Sequence, residues 1–120
     1  MGVHYEWSKG LSGEIFAKQY VNNEKEPADA HEMGRYIKSR KRLIALRERN
    51  KGILGVSCYI AGVSPLYNCF LPGKKNAIRF RSPVQAASFY NQYVGDKYGR
   101  IAVKCDVMAV VKEYLYELTA

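Results

Sequence analysis

The chain has 120 residues, 48% of them hydrophobic, which is enough for one core and predicts a single domain. Lys and Arg total 19 against 11 acids, a net charge of +8 that favours a polyanionic partner, most often nucleic acid. No apolar run is long enough to span a bilayer, and the N-terminus lacks the pattern of a secretory signal. We therefore expect no membrane partner and a cytoplasmic or nucleoid-associated location.

Residues that commonly carry chemistry are few. Cys58, Cys69 and Cys105 are an odd number without a close pair, which predicts free thiols rather than disulfides or a metal half-site. His4 and His31 have no histidine at metal-ligand spacing, and no glycine-rich phosphate loop occurs. We expect no catalytic residue, metal or cofactor, and hence a binding protein rather than an enzyme.

Residues 1–23 show no period that decides between strand and helix. After the polar residues 22–26, Pro27 suits a first helical position, and Asp29 and Glu32 lie where the helix dipole favours acids. The helix should end at Asn50-Lys51-Gly52. The apolar residues predicted to face inward are Met33, Tyr36, Ile37, Leu43, Ile44 and Leu46.

This helix and its end are strongly basic, with Glu48 as the one acid within the basic stretch. The basic residues are Arg35, Lys38, Arg40, Lys41, Arg42, Arg47, Arg49 and Lys51. Such a stretch is suited to phosphate contacts, for which Arg40, Lys41, Arg42 and Lys51 are candidates. A solvated face that only keeps the protein soluble is the alternative.

From Ile53 onward the apolar pattern changes to period two. Residues 53–59, 66–71 and 76–81 read as strands, joined by turns at 62–65 and 72–75. Turns of this length are typical of hairpins, so the pattern predicts an antiparallel meander of three strands.

A helix should follow directly, because Ser82 is a good N-cap, Pro83 suits the first helical position and Gln85 completes a capping box. Its end is predicted at Gly95 or Gly99. The residues of its apolar face are Ala86, Ala87, Tyr90, Tyr93 and Val94.

The last part of the chain predicts a short strand and a helix. Ile101, Val103 and Cys105 alternate with polar or small residues, and Asp106 can cap the helix that follows. That helix closes the core or, alternatively, forms a dimer. The apolar residues predicted for it are Val107, Val110, Val111, Tyr114, Leu115 and Leu118.

The expected fold class is α+β, with a three-stranded antiparallel sheet packed on a helix, an N-terminal basic helix and a C-terminal helix. Residues 1–50 would form an N-terminal extension that contains the basic helix. Residues 51–120 would form the sheet-helix module with its C-terminal helix, packed with the extension as one domain.

Three segments of the module carry a resemblance: Gly55-Val56-Ser57, the stretch 80–91 (FRSPVQAASFYN) and Gly99-Arg100-Ile101-Ala102. Their order and spacing resemble the apetala-two and ethylene-response-factor type of DNA-binding domain, which has phage and bacterial relatives. The resemblance covers about residues 51–107. It implies that the exposed sheet face lies in the major groove of double-stranded DNA, which is wide enough for a small sheet.

By position, the resemblance carries a reading face onto this sequence. Its residues would be Leu54, Ser57 and Tyr59 from the first strand, Leu66 and Cys69 from the second, and Lys75 or Asn76 from the third. The family places arginines and tryptophan at several of these positions, and arginine on guanine is worth about 1–3 kcal/mol of discrimination. This departure predicts phosphate-dominated binding with weak sequence preference, with Lys51, Lys74, Lys75, Arg79, Arg81 and the basic helix as contacts.

A protein target is the alternative partner. A small phage inhibitor of a host or defence nucleic-acid machine would have this size and charge, with Tyr59, Leu66, Tyr67 and Phe70 as interface anchors. The chain also contains 10 tyrosines, and aromatic side chains among basic ones can bind single strands by stacking. Duplex binding ranks above that reading, because aromatic residues in a small α+β protein are more often in the core.

Overall fold

The computed structural model describes residue 20, residues 26–62 and residues 64–119. Its elements are α1 (Ala30–Arg49), β1 (Val56–Ala61), β2 (Ser64–Cys69), β3 (Ile78–Phe80), α2 (Pro83–Tyr98), a 3₁₀ turn (Gly99–Ile101) and α3 (Val107–Thr119). The three strands form one antiparallel sheet in the order β1-β2-β3. The predicted α+β fold, with one helix before the sheet and one at the C-terminus, is confirmed.

The strands are placed differently from the prediction by up to three residues. β1 starts at Val56 rather than Ile53, because Gly55 has a φ of +77° and interrupts the extended backbone. Ala61 pairs with Ser64, so β2 begins two residues before the predicted Leu66. β3 is limited to the three residues that pair with 67–69 of β2.

α2 covers one face of the sheet, here called the inner face. Ala86 and Ala87 are fully buried, and their small side chains let the helix axis approach Tyr67 and Ile78 of the strands, which are also fully buried. Tyr90, Tyr93 and Val94 are buried as well, so the whole predicted apolar face of α2 is confirmed.

Both ends of α2 follow local signals. The Ser82 hydroxyl accepts the N–H of Gln85 at 3.3 Å, and Pro83 is the first helical residue, as predicted. The helix ends at Tyr98, and Gly99 follows with a φ of +59°, a conformation that favours glycine. The C-terminal boundary is therefore Gly99 rather than Gly95.

α1 begins at Ala30, three residues after the predicted Pro27. The Asp29 carboxylate accepts the N–H of Glu32 at 2.8 Å, and the Glu32 carboxylate accepts the N–H of Asp29 at 3.0 Å. This reciprocal capping box fixes the start of the helix and supersedes the weaker preference of Pro27. The predicted stop is confirmed, since the helix ends at Arg49 and Lys51 and Gly52 have φ values of +59° and +102°.

α1 packs against the end of α2 and the segment that follows it. The rings of Tyr36 and Tyr98 are stacked, with centroids 3.7 Å apart and planes 6° from parallel. Met33, Leu43, Ile44 and Leu46 pack against the core, as predicted. Ile37, which we expected to face inward, is 56% exposed, because it lies one helical step of about 100° from the packed Tyr36.

Residues 101–105 do not form the predicted strand. Val103 and Cys105 are buried and Lys104 is exposed, as in a strand, but side chains bond the backbone in place of a neighbouring strand. The Val103 N–H donates to the Tyr36 hydroxyl at 2.8 Å. The Cys105 N–H donates to Oδ1 of Asn91 at 2.7 Å, while Nδ2 of Asn91 donates to the Cys105 carbonyl at 2.8 Å.

α3 starts where the sequence predicts. Oδ1 of Asp106 accepts the N–H groups of Met108 at 3.0 Å and Ala109 at 3.3 Å, which confirms the cap. Val110 is fully buried and Val107 and Tyr114 are partly buried against the core, whereas the side chains predicted at 115 and 118 lie outside the described residues. Within the described ranges no helix is long and apolar enough to cross a membrane.

Candidate nucleic-acid interface

The sheet face opposite α2 is the candidate interface, and we call it the outer sheet face. The side-chain alternation and the strand register place on it Ser57, Tyr59, Leu66, Asn68 and Arg79. Arg79 is exposed and the other four are half-buried. Of the predicted reading face, the structure thus brings Ser57, Tyr59 and Leu66 together on this side.

A row of three polar side chains crosses this face at one level of the register. Ser57 lies opposite Asn68, and Asn68 lies opposite Arg79. The guanidinium of Arg79 lies 5.8 Å from the ring centroid of Tyr59, within the range of a cation–π contact. The row therefore offers a hydroxyl, an amide and a guanidinium, which are the groups that bond phosphates and base edges.

Two residues of the predicted reading face do not belong to it. Leu54 is 6% exposed and precedes β1, and Cys69 is fully buried on the inner face. In an extended chain, residues an odd number of positions apart point to opposite faces. Leu54 is three residues from Ser57, and Cys69 is three residues from Leu66, so neither shares the outer sheet face with them. The same period applied from Leu66 gives Asn68, which the sequence-based prediction missed.

Basic side chains border the outer sheet face. Lys74, Lys75 and Asn76 lie in the turn between β2 and β3, where Lys75 and Asn76 are exposed and Lys74 is half-buried. Arg81 is exposed directly after β3. Arg79 and Arg81 share one side of the chain by alternation, so both are available beside the turn lysines.

The sequence of the sheet and of most of α2 lacks acidic residues. Between Glu48 and Asp96 there is no acidic residue, while six basic residues occur in that interval. The sheet, its turns and α2 as far as Gly95 are therefore free of carboxylates. Nothing in this part of the chain opposes the approach of a polyanion.

The basic residues of α1 divide into two groups. Arg40 is half-buried and its Nε donates to the Ile101 carbonyl at 2.8 Å, and Nη1 of Arg47 donates to the Lys104 carbonyl at 3.1 Å. These two hold α1 in place, so Arg40 is not grouped with its predicted partners Lys41 and Arg42, both of which are exposed.

Four exposed side chains of α1 form a separate stripe, which we call the basic ridge. Their spacing of three, four and seven residues places them on one side of the helix. They are Arg35, Lys38, Arg42 and Arg49. Lys41 lies on another side together with Glu48, seven residues further on. Lys51 is exposed just beyond the end of the helix.

Buried thiols and hydroxyls of the core have raised pKa values. Burial raises the pKa of the Cys69 and Cys105 thiols and of the Tyr90 hydroxyl. None of the three cysteines, all of which lie in the described part of the chain, forms a disulfide. Among the residues that the structure describes, no group of three His, Cys, Asp or Glu side chains could hold a metal ion.

Comparison of the chain with protein-family models, with curated proteins and with solved structures finds no match. The resemblance to the apetala-two and ethylene-response-factor type therefore rests on the motif residues of this chain.

Proposed function

We propose that this protein binds double-stranded DNA, with the outer sheet face in the major groove and phosphate contacts supplying most of the affinity. The observation that carries the proposal is the carboxylate-free outer sheet face, with exposed Arg79 within it and exposed cations at its border. Neighbouring strands are about 4.8 Å apart, so three strands measure about 10 Å across. The major groove is about 12 Å wide and accepts a surface of that width.

The phosphate contacts would come from Lys74, Lys75, Arg79 and Arg81. Each neutralised phosphate contributes a slope of about −0.9 to the dependence of log K on log salt concentration. Four contacts give a slope of about −3.6, and hence an affinity loss of about 150-fold between about 50 mM and about 200 mM salt.

Sequence preference should be weak on this surface. The Ser57 hydroxyl can bond to any base, and Tyr59 and Leu66 offer no bidentate pair of donors. Asn68 carries an amide that can bond bidentately to adenine. We therefore expect the sequence preference of this surface to be limited to A·T at one base pair. We expect an Asn68→Ala substitution to remove that preference with little change in affinity for other sequences.

Fluorescence anisotropy of a labelled duplex tests the proposal. Arg79→Glu should weaken binding about tenfold at low salt and reduce the salt slope by about 1. Arg100→Glu is the matched control, since Arg100 is exposed on the 3₁₀ turn, which is not part of the sheet, and the change in net charge is identical. Equal losses in the two variants would show a general charge effect and contradict the proposed surface.

The protein-binding alternative rests on a different observation. Tyr59 and Leu66 lie directly opposite each other on the outer sheet face, beyond the level at which β3 pairs with β2, and present apolar surface there. Aromatic side chains of this kind are enriched at protein interfaces. Lack of duplex binding at about 50 mM salt would reject the DNA proposal and favour this one.

A further inference from the structure

A groove lies between α1 and the turn that joins β2 to β3. It consists of two adjoining cavities of about 320 and 310 Å³, both lined by Tyr36, Ser39, Pro72 and Gly73. The two cavities share these residues and therefore adjoin each other, and we call them together the α1 groove. Each cavity reaches the lower end of the volumes that hold small organic ligands.

The charge of the α1 groove is mainly positive. Arg35, Lys74 and Lys97 line one cavity and Arg42 lines the other. Its acidic residue is Glu32, whose carboxylate already accepts the N–H of Asp29 in the helix cap. Basic groups in both cavities suit an extended anion rather than a neutral ligand.

Phe70 gives the groove an aromatic edge. Its side chain is 50% exposed, as expected for the residue that follows the buried Cys69 in an extended chain. The Phe70 N–H donates to the Gly55 carbonyl at 2.8 Å, which fixes the backbone that carries the ring. Phe70 and Arg42 line the same cavity, so an exposed ring and a guanidinium lie together.

We propose that the α1 groove binds an unpaired stretch of DNA, with a base stacked on Phe70 and phosphates on Arg35 and Arg42. Stacking on an aromatic ring needs no particular base, and the cations follow the backbone. A phosphorylated peptide would satisfy the cations but would leave Phe70 without a flat partner. Arg35 and Arg42 are about 10 Å apart along the helix axis, so the strand would run beside α1.

This site is separate from the outer sheet face. The groove lies where β2 ends, and Lys74, which lines it, neighbours Lys75 at the border of that face. A duplex with a single-stranded tail would therefore contact both surfaces at once. We expect such a forked DNA to bind more tightly than either a blunt duplex or a single strand alone.

The test uses anisotropy of a labelled oligo-dT of about 12 nucleotides and an abasic strand of equal length with the full-length protein. Phe70→Leu keeps apolar surface but removes the ring, and should weaken oligo-dT binding about tenfold, whereas Phe70→Trp should retain it. Arg42→Glu should also weaken it about tenfold. Lys41→Glu is the matched control, because it makes the same charge change on an exposed neighbour outside the groove, and should stay within about twofold.

The inference would be overturned if Phe70→Leu bound oligo-dT as tightly as the unsubstituted protein does. It would also be overturned if Arg42→Glu and Lys41→Glu lost equal affinity for oligo-dT. Equal affinity of the protein for the abasic strand and for oligo-dT would be a third contradiction. Displacement of oligo-dT by a phosphorylated peptide at lower concentration than by DNA would also refute the proposed occupant. Circular dichroism melting of Phe70→Leu checks that the fold is retained. Duplex binding that is weakened in Arg79→Glu but unchanged in Phe70→Leu would show that the groove and the outer sheet face are separate sites. Oligo-dT binding without duplex binding would support the groove and reject the proposed function.

Discussion

Replacing Gly55 by alanine should be among the most damaging changes that add one methyl group to this protein. Gly55 has a φ of +77°, and a Cβ built on it would lie 2.2 Å from Cε2 of Tyr90. Tyr90 is 2% exposed and is held in the core by α2 and the sheet, so its ring cannot move away freely. Alanine at this position therefore meets both backbone strain and a steric clash.

The expected cost follows from these two effects. A left-handed backbone costs an L-residue about 1–2 kcal/mol. Adding a methyl group to a packed core costs about 1–3 kcal/mol. Together they predict that Gly55→Ala lowers the free energy of unfolding by about 3 kcal/mol and the Tm by about 12 °C for a domain of this size.

Two other glycines provide graded controls in urea unfolding followed by circular dichroism. Gly62 has a φ of +69° with nothing within 4 Å of a built Cβ, so Gly62→Ala should cost only the strain, about 1 kcal/mol. Gly34 lies in α1 with free space around it, and Gly34→Ala should stabilise by about 0.5–1 kcal/mol. A loss in Gly55→Ala no larger than in Gly62→Ala would refute the clash with Tyr90. If the clash is real, Tyr90→Leu should reduce the cost of Gly55→Ala.

Three further predictions concern the core and the interface. Asn91→Ala leaves the N–H and C=O of buried Cys105 without partners and should lower the free energy of unfolding in urea by about 2–3 kcal/mol. A decrease below about 1 kcal/mol would contradict a role of these hydrogen bonds in stability. Burial raises the pKa of Cys69 and Tyr90, which therefore stay protonated when the unfolded chain ionises above about pH 8.5. Stability should fall as the pH rises from about 8.5 to about 11, less steeply in Cys69→Ala, and urea midpoints that stay constant would disprove this. Lys75→Glu should reduce the slope of log K for duplex binding against log salt concentration by about 1. An unchanged slope would show that the turn between β2 and β3 does not contact the duplex.

The starts of α2 and α3 could be predicted because a helix cap depends on residues two or three apart. Ser82 bonds to the N–H of Gln85, and Asp106 bonds to the N–H groups of Met108 and Ala109. The start of α1 was misplaced for a related reason. Two local signals competed there, and the capping box of Asp29 and Glu32 determines the start rather than Pro27.

The segment 101–105 could not be predicted from its own pattern. Apolar and polar residues alternate in any extended segment with one buried side, whether its backbone bonds to a neighbouring strand or to side chains. Here the partners are the side chains of Asn91 and Tyr36, which lie 14 and 67 residues away from the residues they bond. Only the tertiary structure brings them to the backbone of Cys105 and Val103.

The outer sheet face was predicted in part. Ser57, Tyr59 and Leu66 were assigned correctly to one side, but Leu54 and Cys69 were placed there against the two-residue period. Consistent use of that period would have given Asn68. The α1 groove could not be predicted from the sequence, because it depends on how α1 packs beside the turn that contains Gly73.

The N–H of Asp106 donates to the carbonyl of Gly52 at 2.8 Å, so the chain leaves the sheet-helix module next to the point where it enters it. A unit whose two ends meet occupies a single attachment point on whatever carries it. The C-terminal end of α1 and the start of α3 therefore lie side by side, and both helices extend from one point of the module.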